Sequence, residues 1–415
     1  MTTPALARRL GTGDAVVIGL GSMIGAGVFS AFQPAAEAAG SGLLIGLALA
    51  AAVAYCNAVA SAQLAAQYPE SGGTYVYGRV RLGEWWGFVA GWGFVIGKIA
   101  SCAAMALTFA SYAVGGSEWA VRLVGFAAVV GLTVANYRGI SRTAALARVL
   151  VAVSIAALLV VVAAIAVDHA SGVGRDGLSS YGTGGVYGVL QAAGLLFFAF
   201  AGYARIATLG EEVREPERTI PRAIPIALGL TVALYAAVAV ALLVALGPST
   251  LAVSARPLAD AVDAVGAAWA VPVVRTGAAV ASLGALLALI AGVGRTGLAM
   301  ARNGDLPRWL DSVHPTYRVP DHAELAVAAV VSVLVLTTDL RGAIGFSSFG
   351  VLTYYAIANA SAYTQDPAHR RWPRALNVVG LLACVVLVVT LPWTAVVAGL
   401  AVLAAGLVGR LIARR

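Results

Sequence analysis

Charge is scarce in this chain. Only 11% of its 415 residues are charged, against 60% that are apolar, and the mean hydropathy is +0.88. A water-soluble protein of this length needs more charge to cover its surface, so a soluble fold is excluded. Lysine occurs once, at Lys98. The three cysteines, Cys56, Cys102 and Cys384, all fall in apolar runs, where they read as small packing residues, not as disulfides or metal ligands. The four histidines, His169, His314, His322 and His369, sit in loops or at the ends of apolar runs. With no HExxH, CxxC or paired carboxylates, neither a metal centre nor an enzyme is expected. A channel is set aside because no filter-like repeat or ring of charge is present.

What fills the chain is a succession of apolar runs, each near the roughly 20 residues that cross a bilayer as a helix. Twelve spans are expected, near 14–38, 42–66, 84–114, 119–136, 144–167, 186–209, 223–246, 271–301, 323–338, 342–363, 375–390 and 392–411. The first run is too long, and lacks a clear cleavage site, to be a signal peptide. Nineteen arginines fall on the side of the N-terminus and five on the other, and Lys98, Arg205 and Arg295 lie within spans. The positive-inside rule then puts both termini in the cytoplasm. It also explains the net charge of +8 without invoking nucleic acid. The fold expected is an all-α, multi-pass integral membrane protein of the plasma membrane.

Two spans carry interruptions in matching places. Span 1 contains Gly19, Gly21, Gly25 and Gly27 within nine residues. Each weakens a helix by about 1 kcal/mol relative to alanine. Span 6, five spans later, has Phe197 to Tyr203 near its middle, with Gly202 inside it. Broken helices at corresponding positions of two halves point to an inverted-repeat transporter with its site at the breaks. The repeats would be 14–168 and 186–363, with two appended helices at 373–411, and helices 1 and 6 unwound at mid-membrane depth. Backbone groups freed there must face protein or a water-filled cavity. The N-terminal end of a half-helix suits a carboxylate and freed carbonyls suit an ammonium, so a zwitterionic α-amino acid meets both. Ser22, Gly25, Ala26 and Gly27 are small enough to let a ligand reach the backbone. Close helix packing alone would explain one glycine-rich span; a second break favours a site.

Those residues also carry a resemblance. Gly21-Ser22-Met23-Ile24-Gly25-Ala26-Gly27-Val28-Phe29, Pro69 to Tyr77, Phe198 to Tyr203 with Glu211-Glu212 and Pro216 to Arg222, and Met300 to Pro307 occur in the order seen in the amino acid–polyamine–organocation superfamily. The chain resembles permeases of that superfamily, which have the leucine-transporter fold. The resemblance implies that the backbone of Ile24, Gly25, Ala26 and Gly27 holds the substrate carboxylate. It implies that carbonyls around Phe200, Ala201, Gly202 and Tyr203 hold the amino group, and that Phe200 or Tyr203 gates or covers the ligand. Some proton-coupled relatives carry a lysine in the fifth span at a position that is Ser154 here, which puts that coupling site in doubt.

An ionisable group inside a span is functional by default, and Lys98 in span 3 is open to two readings. It either exchanges a proton, since burial lowers a lysine's pKa, or binds backbone carbonyls structurally. Arg205 either gates the site or lines the cytoplasmic vestibule, paired with Glu211 or Glu212. No Asp or Glu is expected deep in a span, since Asp14, Glu37 and Glu324 lie at ends. A cationic substrate would gain from a buried carboxylate, so neutral amino acids are favoured. The function expected is a secondary active amino acid transporter, with H+ or Na+ as coupling ion and no other cofactor. The alternatives are an amino acid/polyamine exchanger, a cationic amino acid transporter and a transporter-like nutrient sensor. The partners are a small amino acid or amine and the lipid bilayer, not nucleic acid, with the chain a monomer or homodimer.

Overall fold

The computed structural model describes residues 10–69, 72–138, 144–170, 184–207 and 212–413. These form helices α1 (Thr12–Met23), α2 (Ala26–Ser30), α3 (Phe32–Ala39), α4 (Leu43–Gln67), α5 (Thr74–Leu82), α6 (Glu84–Ala113), α7 (Glu118–Tyr137), α8 (Ala144–Ala170) and α9 (Gly185–Phe200). They continue with α10 (Ala204–Ala207), α11 (Pro216–Val253), α12 (Pro257–Ala264), α13 (Val271–Arg302), α14 (Asp321–Thr337), α15 (Leu340–Tyr363), α16 (Arg374–Thr390) and α17 (Trp393–Ala413). Among the described residues the one extended pairing is a bridge between Leu10 and Val213. Eight helical stretches are long and apolar enough to cross a membrane, and Gly185–Phe200 and Arg374–Thr390 are shorter apolar helices.

The apolar residues point outward as well as inward. Val385 and Leu400, on α16 and α17, are 50% and 54% exposed. Such faces suit a lipid surround, where helices gain little by burying leucine and pack instead through small residues. The core follows that rule. Along the α6–α15 contact, a Cβ added at Gly350 would lie 2.7 Å from the Cα of Gly97 and 2.5 Å from the carbonyl of Gly93. The two backbones touch, and only glycine permits it.

Some boundaries move. The helix of span 7 starts at Pro216, earlier than the 223 expected, and breaks at Gly247, where φ is 68°, next to the expected end at 246; a further helical stretch continues to Val253. In span 6, expected to reach residue 209, the first helix stops at Phe200. Glu324 does lie in the first turn of its helix, as its position at a span end suggests, but it is buried, 1% exposed. Residues 212–215 pack against the start of the chain. Leu10 donates its N–H to the Glu212 carbonyl at 3.1 Å and accepts from Arg214 at 2.9 Å, and Val213 is fully buried. Glu70, Ser71, Glu211 and the loop residues 171–183 lie outside the described residues.

Candidate functional site

The chain leaves the helix twice in the glycine-rich places. α1 ends at Met23; Ile24 takes φ −79°, ψ 66° and Gly25 takes φ −110°, ψ −147° before α2 begins at Ala26. α9 ends at Phe200, and Ala201, Gly202 and Tyr203 turn before α10. The two interruptions meet. A Cβ on Gly202 would stand 2.1 Å from the carbonyl oxygen of Ser22 and 2.5 Å from the nitrogen of Met23. A Cβ on Gly27 would stand 2.6 Å from the Cα of Ala199. Gly25 differs, because its nearest neighbour there would be the Ala285 side chain on α13, at 3.2 Å. Gly202 and Gly27 therefore serve backbone contact, while Gly25 borders side chains.

The N–H groups of Ile24 and Gly25 are already donated, to Leu20 at 2.7 Å and Met23 at 2.8 Å. The first-turn N–H groups of Ala26 and Gly27 have no acceptor within their own helix, as at any helix start. They leave partial positive charge beside the break, suited to a carboxylate.

The side chains around the breaks come from distant helices. Lys98, on α6, is buried and donates from Nζ to the Ala201 carbonyl at 3.3 Å. The sole lysine thus reaches the turn between α9 and α10. Tyr235, on α11, reaches both breaks. Its hydroxyl donates to the Met23 carbonyl at 2.7 Å, with the Ala199 carbonyl also in reach at 3.2 Å, and its ring lies 5.2 Å from that of Phe200. Sequence reasoning missed Tyr235; the available signal was a pair of hydroxyls one helical turn apart, Thr231 and Tyr235, midway along an otherwise apolar span. Removing it takes one of two donors from the Met23 carbonyl, which keeps the Gly25 N–H at 2.8 Å, and loses a hydrogen bond worth about 0.5–1.5 kcal/mol. A Tyr235→Phe chain should therefore accumulate normally but take up substrate several-fold more slowly, which initial-rate uptake measures. An unchanged rate would mean that this bridge is idle.

Other expected site residues are placed less directly. Phe200 and Tyr203 are fully buried; Tyr203 stacks on Tyr355 with ring centres 5.0 Å apart. Both rings pack in the core. Ser22 and Ser154 donate to their own helices, at Ile18 (2.9 Å) and Leu150 (2.8 Å). Ile24, Gly25, Ala26, Gly27 and Ala201 are buried, whereas Ser22 and Gly202 are part-exposed and Arg205 is exposed. Exposure thus begins at Ser22 and Gly202 and is absent from Met23 to Gly27. Arg205 lies within the electrostatic reach of Glu212 and of Arg295.

Charged groups bind the ends of the bundle. On α3, Glu37 pairs with Arg341, which also donates to Gln191 at 3.1 Å, while Gln33 donates to the Ala252 carbonyl at 2.6 Å. A second cluster centres on Asp305, just past α13. Its carboxylate accepts from Tyr75 at 2.7 Å, from Arg79 at 2.9 Å and from Arg410 Nε at 2.9 Å. The Arg410 guanidinium also lies over Trp85 at 4.4 Å and Phe88 at 4.9 Å. Burial, helped by the bond to Asp305, pushes the Tyr75 phenol up from 10 to about 12. A raised pKa means that this contribution is complete below pH 10 and fades only as pH climbs through about 12. Thermal stability scans should therefore find no Tyr75 titration at physiological pH.

Among the described residues no group of three His, Cys, Asp or Glu could hold a metal ion. The family model described as amino acid permease matches residues 10–407. A protein named as an uncharacterized transporter in Mycobacterium tuberculosis is 60% identical over 415 residues, covering 99% of this chain and 93% of the relative. The branched-chain amino acid permease BcaP of Bacillus subtilis is 26% identical over 433 residues, covering 97% and 92%. The human cationic amino acid transporter 4 is 29% identical over 383 residues, covering 86% of this chain and 59% of the relative.

Proposed function

This chain belongs to the amino acid permease family of the amino acid–polyamine–organocation superfamily, and on that premise we propose that it carries neutral amino acids across the plasma membrane by alternating access, coupled to protons. It is a transporter, not an enzyme, and a multi-pass membrane protein. The reading includes twelve spans in two inverted sets of five, 14–168 and 186–363, followed by two more at 373–411, with both termini cytoplasmic. The observation that carries it is the meeting of the two helix interruptions, Gly202 against Ser22, with a buried lysine on the Ala201 carbonyl.

In this reading the substrate carboxylate docks at the N–H groups of Ala26 and Gly27, and its ammonium competes with Lys98 for carbonyls at the Ala201 turn. Protonated Lys98 holds that turn; loss of its proton frees the carbonyl for the substrate. One exchangeable proton then links substrate binding to the gradient. Exposure at Ser22, Gly202 and Arg205 corresponds to a state open to the cytoplasm, with the Glu37–Arg341 end closed. No carboxylate enters the reading near the substrate side chain, which favours neutral amino acids over the cationic ones named for some relatives.

The test is uptake of labelled alanine and arginine into proteoliposomes, with and without an inward proton gradient, empty or preloaded. Gradient-dependent alanine uptake is expected, and Lys98→Met should remove the gradient dependence while leaving exchange between preloaded pools. A Lys98→Met chain still driven by the gradient would discard the proton role. Uptake only into preloaded vesicles, with arginine preferred, would make the protein a cationic exchanger instead.

A further inference from the structure

α16 turns an apolar stripe to the outside of the bundle, and two arginines stand at its start. Val378, Val379, Leu382, Val385, Val386 and Val389 are all exposed. They recur at the three- and four-residue spacing of one helix face, while Cys384 and Leu387 on the opposite face are buried. At about 1.5 Å per residue, the stretch from Arg374 to Val385 is about 16 Å long. One leaflet of a bilayer offers roughly 15 Å of hydrocarbon, so the stripe below the arginines is as long as one acyl layer is deep.

Arg371 and Arg374 are exposed on either side of Trp372, which packs against the core. The segment that carries them is held in place from α4 and from the end of α15. Arg371 donates its backbone N–H to Gln63 Oε1 at 3.3 Å, and the Arg370 side chain donates to the Gln365 carbonyl at 2.7 Å. Gln365 in turn donates to Gln67 Oε1 at 2.6 Å. The Arg374 guanidinium lies over the Tyr363 ring, 5.2 Å from its centre, a contact that orients the cation without neutralising it. Among the described residues no carboxylate pairs with Arg371 or Arg374, and Asp366, five residues upstream of Arg371, is taken by Arg81 at 3.6 Å.

Two fixed cations at the end of a lipid-facing stripe call for a ligand with an acidic head and an apolar tail. A zwitterionic headgroup brings a cation of its own, and a soluble anion leaves the stripe unused. A twofold-related copy of this chain would bring the same arginines to the same leaflet, setting like charge against like. We propose that the start of α16 is a binding site for an anionic phospholipid, with its phosphate between Arg371 and Arg374 and one acyl chain along the valine and leucine stripe. Basic groups at the mouth of a helix face recognise acidic headgroups in this way. The site goes beyond the transport reading and needs only the membrane around it.

Native mass spectrometry of the purified full chain tests it, with the protein stripped of lipid in detergent and titrated with phosphatidylglycerol or with phosphatidylcholine of the same acyl chains. Phosphatidylglycerol is expected to bind more tightly, with a preference that shrinks as salt is raised. A basic residue beside an acidic lipid is worth roughly fivefold in affinity. Arg371→Gln/Arg374→Gln should therefore weaken phosphatidylglycerol binding by about tenfold or more and leave phosphatidylcholine binding unchanged. Arg371→Lys/Arg374→Lys should restore most of the preference. Arg308→Gln/Arg318→Gln removes two exposed arginines elsewhere and should bind as the native chain does. Equal binding of the two lipids, or an equal loss in the Arg308/Arg318 control, would overturn the site. So would full displacement of phosphatidylglycerol by inorganic phosphate, which would mean a soluble-anion site. A dimer mass that disappears in Arg371→Gln/Arg374→Gln would mean that a second copy covers this face, and would also overturn it.

Discussion

A Gly202→Ala chain is expected to lose uptake almost completely. The new methyl would lie 2.1 Å from the Ser22 carbonyl oxygen and 2.2 Å from its carbon. Both are backbone atoms, so no rotamer change relieves the clash, and the two interrupted helices must separate. Overpacking of this kind costs about 1–3 kcal/mol, which the fold can absorb but a site built from both breaks cannot. Gly25→Ala meets only the Ala285 methyl, at 3.2 Å, and should retain much of its rate. Gly25→Leu should fill the gap between α2 and α13 and abolish uptake in a folded protein. Proteoliposome uptake normalised to inserted protein measures all three. Near-native uptake by Gly202→Ala would mean that the breaks do not work as one unit, and unimpaired uptake by Gly25→Leu would remove the site from this place.

Asp305→Ala is expected to have the largest effect on stability. The Asp305 and Arg410 side chains are both fully buried, and Arg79 is 24% exposed. Without the carboxylate, two guanidinium groups are left to the single, half-exposed carboxylate of Glu84, which pairs with Arg79 at 3.5 Å and with Arg410 at 3.9 Å. Removing one partner of a buried ion pair typically costs about 3–5 kcal/mol, because the other is left uncompensated. The detergent-solubilised protein should therefore aggregate at a clearly lower temperature. Adding Arg410→Met should recover part of the loss, since an apolar side chain can sit against Trp85 and Phe88. If the double variant is no better than the single, Arg410 and Asp305 are not energetically coupled.

The legible parts of the sequence were those with local causes. Apolar runs mark helices wherever the length and hydropathy of one segment suffice, and the glycines of residues 19–27 mark the end of α1 because helix propensity is a property of neighbours. Lys98 stood out because a charge in an apolar run is costly wherever it folds. Tyr235 did not, since its hydroxyl matters through the Met23 carbonyl 212 residues away. Arg410 read as one more cytoplasmic arginine, and its partner is 105 residues distant. Glu324 was placed correctly at a helix end, but the exposure of an end depends on what packs over it.

The Asp305 cluster also bears on how the chain is made. Asp305 is synthesised 105 residues before Arg410, so a nascent chain has α5, α6 and α13 available while the second guanidinium has yet to leave the ribosome. Until then a carboxylate destined for complete burial has only Arg79 to balance it, with Tyr75 as a neutral donor. Final closure of this end is thus deferred to the last helix, and a chain interrupted before α17 carries an under-neutralised acid where the finished protein has none.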